Sequence, residues 1–209
     1  MESMLFDLND EKGVVCGLDE AGRGPLAGPV VAAAVVLPAG FPIEILGDSK
    51  QLSEKQRLEA EIIIKEQALA WAVACATAQE IDKINILQAS LLAMKRAYEK
   101  VKTHISIDTA LVDGNQKPTL DCTVQAIVRG DATIPEIMAA SILAKNQRDR
   151  YMVLCDAKWP LYHFAKHKGY PTKEHREACL LYGLSPIHRK TFSIKQENSR
   201  KRDEQQTLF

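Results

Sequence analysis

Val14-Val15-Cys16-Gly17-Leu18-Asp19-Glu20-Ala21-Gly22-Arg23-Gly24-Pro25-Leu26-Ala27-Gly28-Pro29-Val30 is the stretch on which the fold turns. Residues 14–18 are a short β-branched run that stops at an acidic pair. Residues 29–37 are a second apolar run after a glycine-rich turn, so the pattern predicts two strands of one sheet. Working outward, Ser53 is a good N-cap for a helix over residues 54–67, with Leu58, Ile62, Ile63 and Ile64 as its sheet-facing side. Residues 71–77 read as a third strand. Residues 86–101 place Leu87, Leu91, Met94 and Tyr98 at helical spacing, and residues 106–112 return as a strand ending at Asp113-Gly114. Residues 119–128 form a further strand that runs into Arg129-Gly130-Asp131. Pro135 then opens a long helix through Ile142, Leu143 and Tyr151, and Pro171-Thr172 starts another that ends near Tyr182-Gly183. The alternation predicts an α/β protein, a mixed β-sheet flanked by helices with a C-terminal helical extension.

Composition bounds the function classes. A chain of 209 residues with 46% apolar and 26% charged residues is ordinary for one soluble globular domain, expected over residues 1–195, with residues 196–209 as a flexible polar tail. The longest apolar run, residues 30–37, is less than half of the ~20 residues that a membrane-spanning helix needs, and no secretory signal precedes it, so a cytoplasmic location and no membrane contact are expected. Five scattered cysteines without a Cys-x-x-Cys pair argue against a zinc ribbon and read as reduced thiols packed as small apolar residues. The net charge of zero hides a segregation: residues 1–140 hold 13 Lys+Arg against 20 Asp+Glu, and residues 141–209 hold 14 against 7. The basic part suits a phosphate backbone and the acidic part suits cations.

Three predicted strands end in acid, at Asp19-Glu20, Asp113 and Asp131. If those strands are neighbours, the carboxylates converge and repel unless a cation lies between them; oxygen-only ligands favour Mg²⁺ or Mn²⁺ over zinc. Because successive strand residues point to opposite faces, a bend or bulge is expected between Asp19 and Glu20, made possible by Gly17 and Gly22, so that each acid faces a different metal of a pair. His163 and His167 stand four apart, as zinc pairs can, but no third ligand follows at zinc-like spacing. His188-Arg189-Lys190 reads as a cationic surface or as a structural hydrogen-bonding group.

The string from Asp19 to Val30 resembles the signature of the bacterial ribonuclease HII family. The resemblance continues in family order through Asp48-Ser49-Lys50-Gln51-Leu52, Val112-Asp113-Gly114, Arg129-Gly130-Asp131, Ala139-Ala140-Ser141-Ile142-Leu143-Ala144-Lys145, Arg148-Asp149, His167-Lys168-Gly169-Tyr170-Pro171-Thr172 and His188-Arg189. It implies a ribonuclease H-like fold and an endonuclease that uses Mn²⁺ or Mg²⁺ to cut RNA/DNA hybrids and duplex DNA with embedded ribonucleotides, working as a monomer. It implies Asp19, Glu20, Asp113 and Asp131 as catalytic metal ligands. It also implies Gly22, Arg23, Gly24, Lys50 and Tyr170 as substrate contacts, with Tyr170 against the sugar at a ribose–deoxyribose junction. The chain departs from the usual pattern at Arg129, Met138, Asn146-Gln147 and His163, the last where glycine is common.

Gln205, Leu208 and Phe209 belong to a terminal stretch similar to the pentapeptide by which bacterial replication proteins dock on the DNA sliding clamp. Three rivals remain open at this level. Ribonuclease HIII carries an added N-terminal domain, for which the 18 residues before Asp19 leave little room. A dinucleotide-binding protein would use Gly22, Gly24 and Gly28 with Asp48, but its fingerprint must open a helix, whereas a β-rich run follows here. A non-catalytic duplex-binding module would not need four acids beside phosphate.

Overall fold

The computed structural model describes residues 13–47 and 52–193; Lys50 and the tail residues Gln205, Leu208 and Phe209 lie outside them. The five strands are β1 (Val15–Ala21), β2 (Val30–Val36), β3 (Ala70–Ala76), β4 (Thr109–Asp113) and β5 (Thr123–Ile127). The helices are α1 (Glu54–Gln67), α2 (Ala78–Lys102), α3 (Pro135–Lys158), α4 (Phe164–His167) and α5 (Lys173–Tyr182). The strand order is β3-β2-β1-β4-β5, with β1, β2 and β3 antiparallel and β1, β4 and β5 parallel. The mixed sheet expected from the alternation is therefore present.

The all-apolar β2, Val-Val-Ala-Ala-Ala-Val-Val, is buried at every position because helices cover both faces of the sheet. One core lies on the α2 side and joins Leu18, Val30, Ala32, Met94, Tyr98 and Val112. A second lies on the α3 side and joins Ala33, Val35, Ile64, Ala140 and Leu143. A third, around Ala27, Met152, Tyr162, Phe164 and Ile187, fastens the C-terminal helical part to the end of α3.

Several expectations need correction. Helix α1 does have its Ser53 cap, a capping box with Gln56. Leu58 and Ile62, however, are exposed, and the helix buries Ala60, Glu61 and Ile64 against α3, where Arg150 and Asn146 bond Glu61. α2 begins at Ala78 rather than near residue 86, capped by Thr77 and kinked at Asn85, whose φ of 65° is stabilised as its carboxamide oxygen accepts from the Gln88 amide. β5 is shorter than predicted. Three thiols are buried, but Cys75 is exposed. His163 sits at φ 53°, a left-handed conformation in which a glycine is unstrained, which explains why glycine suits that position.

Helix α3 crosses directly over β1. An added Cβ on Gly17 would stand 2.1 Å from the Glu136 carbonyl carbon and 2.4 Å from the Ile137 nitrogen, both helix backbone that cannot turn aside. Gly17 is thus needed for helix approach, not for a strand bend. Gly17→Ala should lower unfolding free energy by about 2–3 kcal/mol, the upper range for overpacking a core. Urea denaturation would measure it, and an unchanged midpoint would show that α3 can move away at no cost.

Candidate active site

Parallel β1 and β4 pair Val15 with Thr109 and Leu18 with Val112; the next residues in that register are Asp19 and Asp113. Two carboxylates therefore stand side by side at the C-terminal ends of adjacent strands. Glu20 follows Asp19 and interacts electrostatically with Asp113. The fourth acid, Asp131, does not end a strand: it lies in a one-turn 3₁₀ helix, Gly130–Ala132, between β5 and α3. Its amide N–H donates to Asp113 Oδ1 at 3.2 Å, which ties that turn to the end of β4. Arg129 enters the turn at φ 61° and is exposed. The four acids thus meet at one end of the sheet, beside its central strands.

Between Asp19 and Glu20 the strand has no bulge, because β1 pairs with β2 in unbroken register from Gly17↔Val35 to Ala21↔Val31. The two side chains leave opposite faces by ordinary pleating. Asp19 turns toward α3, where Ser141 hydrogen-bonds it, and its own Oδ1 accepts from the Glu20 amide at 2.7 Å. Glu20 meets Arg23 at 3.3 Å.

Burial drives the Asp19 carboxyl well above the ordinary carboxylate range, reinforced by the charges of Glu20 and Asp113 and opposed by Ser141. Burial also raises Glu20, with Arg23 opposing and Asp113 adding to the rise. Crowded, desolvated carboxylates of this kind match a hard divalent cation: ligand oxygens are present, and a doubly charged ion would offset both the lost hydration and the mutual repulsion that raise these carboxyls.

Beside the acids runs the loop from Gly22 to Gly28. Two arginines, each 1% exposed, hold it from beneath. Arg189 Nη2 donates to the carbonyls of Gly22 (2.6 Å) and Pro29 (3.2 Å), its Nη1 to Arg23 (2.9 Å), and its Nε to Gly28 (3.0 Å). Arg148 donates from Nε to Pro29 and from Nη2 to Ala27. With its carbonyls taken from below, the loop lies against two cations as well as being glycine-rich. Gly22 has φ 102°, and a Cβ there would meet Arg148 Nε at 2.1 Å. Gly24 is different: its nearest neighbour is the Tyr170 ring, at 3.7 Å from an imagined Cβ. That ring is 43% exposed, so Tyr170 is a surface aromatic next to the loop, with the Arg148 guanidinium 5.9 Å from its centroid.

Of the residues singled out from the sequence, the fold brings Asp19, Glu20, Asp113, Asp131, Gly22, Arg23, Gly24 and Tyr170 to one end of the sheet. Sequence reasoning missed the support beneath them. Arg189 and His188 belong to no cationic surface, since both are buried, and of the two earlier readings only the structural one fits. His163 is exposed while His167 is buried and bonds Tyr162 and Gly169, so they form no zinc pair. The one available signal was position, as Arg148 and Arg189 lie within strings of the family pattern.

A mixed sheet carrying acids at the ends of its parallel strands and helices on both faces is a ribonuclease H-like α/β protein. Solved structures agree on the fold. Ribonuclease H2 of Pyrococcus horikoshii has a TM-score of 0.67 at 27% identity, covering 87% of this chain and 94% of that one. Bst ribonuclease HIII in complex with Mn²⁺ has a TM-score of 0.72 at 18% identity, covering 87% and 67%. Ribonuclease HII of Archaeoglobus fulgidus, solved in complex with PCNA, has 0.71 at 23% identity, covering 89% and 98%. The family model for Ribonuclease HII matches residues 16–195. Ribonuclease HII of Nitrosomonas europaea is 56% identical over 180 residues, 86% of this chain and 82% of that protein, and that of Dechloromonas aromatica is 56% identical over 86% and 91%. The chain belongs to the ribonuclease HII family of endoribonucleases.

The raised Asp19 carboxyl has a cost in the metal-free protein. A carboxyl with a raised folded pKa contributes its stability below the ordinary value of 3.8 and loses it as pH climbs through the folded value. At pH 7 in chelator, Asp19→Asn should therefore be more stable than the parent by on the order of 1–2 kcal/mol, and its stability should fall less between pH 4 and 7. Added Mn²⁺ should raise the Tm of the parent and move the variant little; thermal denaturation with and without metal checks both.

Proposed function

We propose that this chain hydrolyses the phosphodiester on the 5′ side of a ribonucleotide, in RNA/DNA hybrids and in duplex DNA with a single embedded ribonucleotide, leaving a 3′-hydroxyl and a 5′-phosphate. The observation that carries this is the register of β1 and β4, which sets Asp19 beside Asp113 with Glu20 and Asp131 adjoining, next to a glycine-lined loop and an exposed tyrosine. Family membership supports the hybrid as substrate class.

Asp19, Glu20, Asp113 and Asp131 would hold a pair of Mg²⁺ or Mn²⁺ ions, a reading that Mn²⁺ in the Bst ribonuclease HIII structure supports for a divalent ion in this fold. Ions of this kind lower the pKa of a coordinated water and offset charge on the leaving 3′ oxygen. The protein's part is placement. Opposite pleating would let Asp19 and Glu20 address two ions from one strand, and Asp113, whose charge is felt by both acids, would be a further ligand. Asp131, held by its own amide to Asp113, keeps the fourth ligand in reach.

Gly22 and Gly24 would let the loop backbone approach the 2′-hydroxyl, and the Tyr170 ring would pack on the sugar beside it. Arg23, half exposed, would change partner from Glu20 toward phosphate. The buried Arg148 and Arg189 add positive potential under the loop, so recognition should rest on backbone and shape, be indifferent to base identity and weaken with salt.

The decisive assay uses a labelled DNA duplex containing one ribonucleotide and a uniform hybrid, each with Mg²⁺, Mn²⁺ or chelator, followed by mapping of the cut. Asp113→Asn should reduce cleavage by about a thousandfold, since one ligand of the charge-stabilising set is lost, while duplex affinity changes by less than about threefold. Loss of binding with retained turnover would contradict the assignment.

A role in removing ribonucleotides and RNA primers from DNA follows from such a specificity. Docking on a sliding clamp through Gln205, Leu208 and Phe209 belongs to the same proposal, supported by the tail's sequence and by the Archaeoglobus fulgidus relative having been solved with PCNA. Tethering of that kind raises the enzyme's local concentration on DNA. Deleting Leu208 and Phe209 should abolish capture by an immobilised bacterial clamp and leave cleavage of short duplexes unchanged.

A further inference from the structure

The segment that carries Tyr170 is held by buried imidazoles. His167, His175 and His188 are all shielded from solvent, and His167 stacks on His175 with 4.4 Å between ring centroids. Their hydrogen-bond partners assign every ring proton. The carbonyl of Tyr162 can only accept, so His167 carries its proton on Nε2 (2.8 Å), and its bare Nδ1 accepts from the Gly169 amide at 3.2 Å. The Ser185 amide can only donate, so His188 Nδ1 is bare (2.9 Å) and its Nε2 is protonated. That Nε2–H donates to His175 Nε2 at 3.0 Å, which leaves His175 protonated on Nδ1, where it donates to the Tyr170 carbonyl at 2.9 Å. The result is one directed chain from the Ser185 amide through two neutral rings to the backbone of Tyr170. Burial agrees with neutrality, since it pushes both His175 and His188 down to about 4.

Such a set could be mistaken for a metal centre, because ligand atoms of His175, Cys179 and His188 all lie within 4.8 Å of one another. The protons argue against it. A metal-bound histidine presents a bare nitrogen to the ion and gives its other N–H to an acceptor. His188 does the reverse, with a donor amide against Nδ1. The Nε2 atoms of His175 and His188 are also at hydrogen-bond distance, with the Cys179 sulfur 3.1 Å from the latter, and the thiol is pushed up to about 11 by burial. Every bare ring nitrogen already accepts a hydrogen bond, so none is left to turn toward an ion.

We infer that His175, oriented by His188, is a positioning residue for Tyr170, acting through the Tyr170 carbonyl; this rests on the reading of Tyr170 as the aromatic that packs on the sugar. The Tyr170 backbone is fixed from three sides: its N–H donates to the His167 carbonyl at 2.9 Å, and its carbonyl receives the Thr172 amide at 2.8 Å together with the imidazole of His175. The chain reaches Tyr170 through left-handed Lys168 and Gly169, a turn that strains the lysine and needs holding. Gly169 in turn receives the Leu26 amide on its carbonyl at 2.8 Å, so the same turn is joined to the loop that Tyr170 faces. The histidine chain thereby sets the distance between the ring and Gly24.

The test uses the full chain and two substitutions that divide the ring's functions. In His175→Asn the carboxamide nitrogen stands where Nδ1 was and still donates to Tyr170; in His175→Gln the polar group reaches toward His188 and that donation is lost. On a duplex with a single ribonucleotide, kcat/KM should fall about tenfold for His175→Gln, the size expected for one buried hydrogen bond lost, and stay within about threefold for His175→Asn. On a uniform hybrid both variants should fall less, as many ribose contacts share the load. Tyr170→Ala is the reference: if it leaves single-ribonucleotide cleavage unchanged, the reading of Tyr170 fails and the inference falls with it. If Tyr170→Ala is impaired but His175→Gln matches His175→Asn, positioning alone is overturned. For folding-independent evidence, ¹⁵N imidazole spectra of the parent protein should show Nδ1–H at His175 and Nε2–H at His167 and His188, unchanged by chelator. A different tautomer at His188, or a cobalt(II)–thiolate band that vanishes in Cys179→Ala, would overturn it.

Discussion

Repulsion among buried carboxylates is the constraint around which this molecule is arranged. Asp19 and Asp113 are register neighbours on parallel strands, and neither can move away without breaking the centre of the sheet. Water reaches Asp113 in part but offers Asp19 and Asp131 little relief, because those two are almost fully enclosed. What offsets part of the cost comes from nearby elements: Ser141 of α3 bonds Asp19, Arg23 meets Glu20, and the Asp131 amide bonds Asp113. A site kept this electrostatically unfavourable without a cation is a site whose binding energy for a cation is prepared in advance.

The close approach of α3 is the structural condition for that arrangement. Ser141 reaches Asp19 because the helix lies on the backbone of β1 at Gly17, and about two turns further along the same helix α3 supplies Arg148 to the carbonyls of the glycine loop. Arg189, from the far end of the chain, completes the same support. Two guanidiniums buried mainly against carbonyls are costly, and burial together with Arg148 brings Arg189 down to about 9. Their return is a loop with its carbonyls anchored below and its surface left free for a polyanion.

The C-terminal helical part does a related job for Tyr170. Phe164 stacks on Tyr162 and meets His167 and His175 edge-on, so an aromatic packing layer encloses the imidazoles and excludes water from their hydrogen bonds. Rigid aromatic packing and a fully satisfied polar chain together place one exposed ring beside one glycine.

Much of this could be read from the chain alone. Apolar runs bounded by acid and glycine marked the strands, Ser53 and Pro135 marked helix starts, and the ordered strings from Asp19 to Arg189 marked the family and its four acids. These features are local, and each rests on what a few consecutive residues do to the backbone. Three things were decided only by tertiary structure. Sheet register, which a sequence does not contain, put Asp19 against Asp113 and removed the need for a bulge. Helix packing decided which face of α1 was buried: Ala60 and Ile64 join the core, Glu61 turns inward to pair with Arg150, and Leu58 and Ile62 stay exposed. Burial decided that Arg148, His175, His188 and Arg189 are supports rather than surface charges, since a side chain's protonation and partners depend on neighbours as far away as 167 residues in sequence.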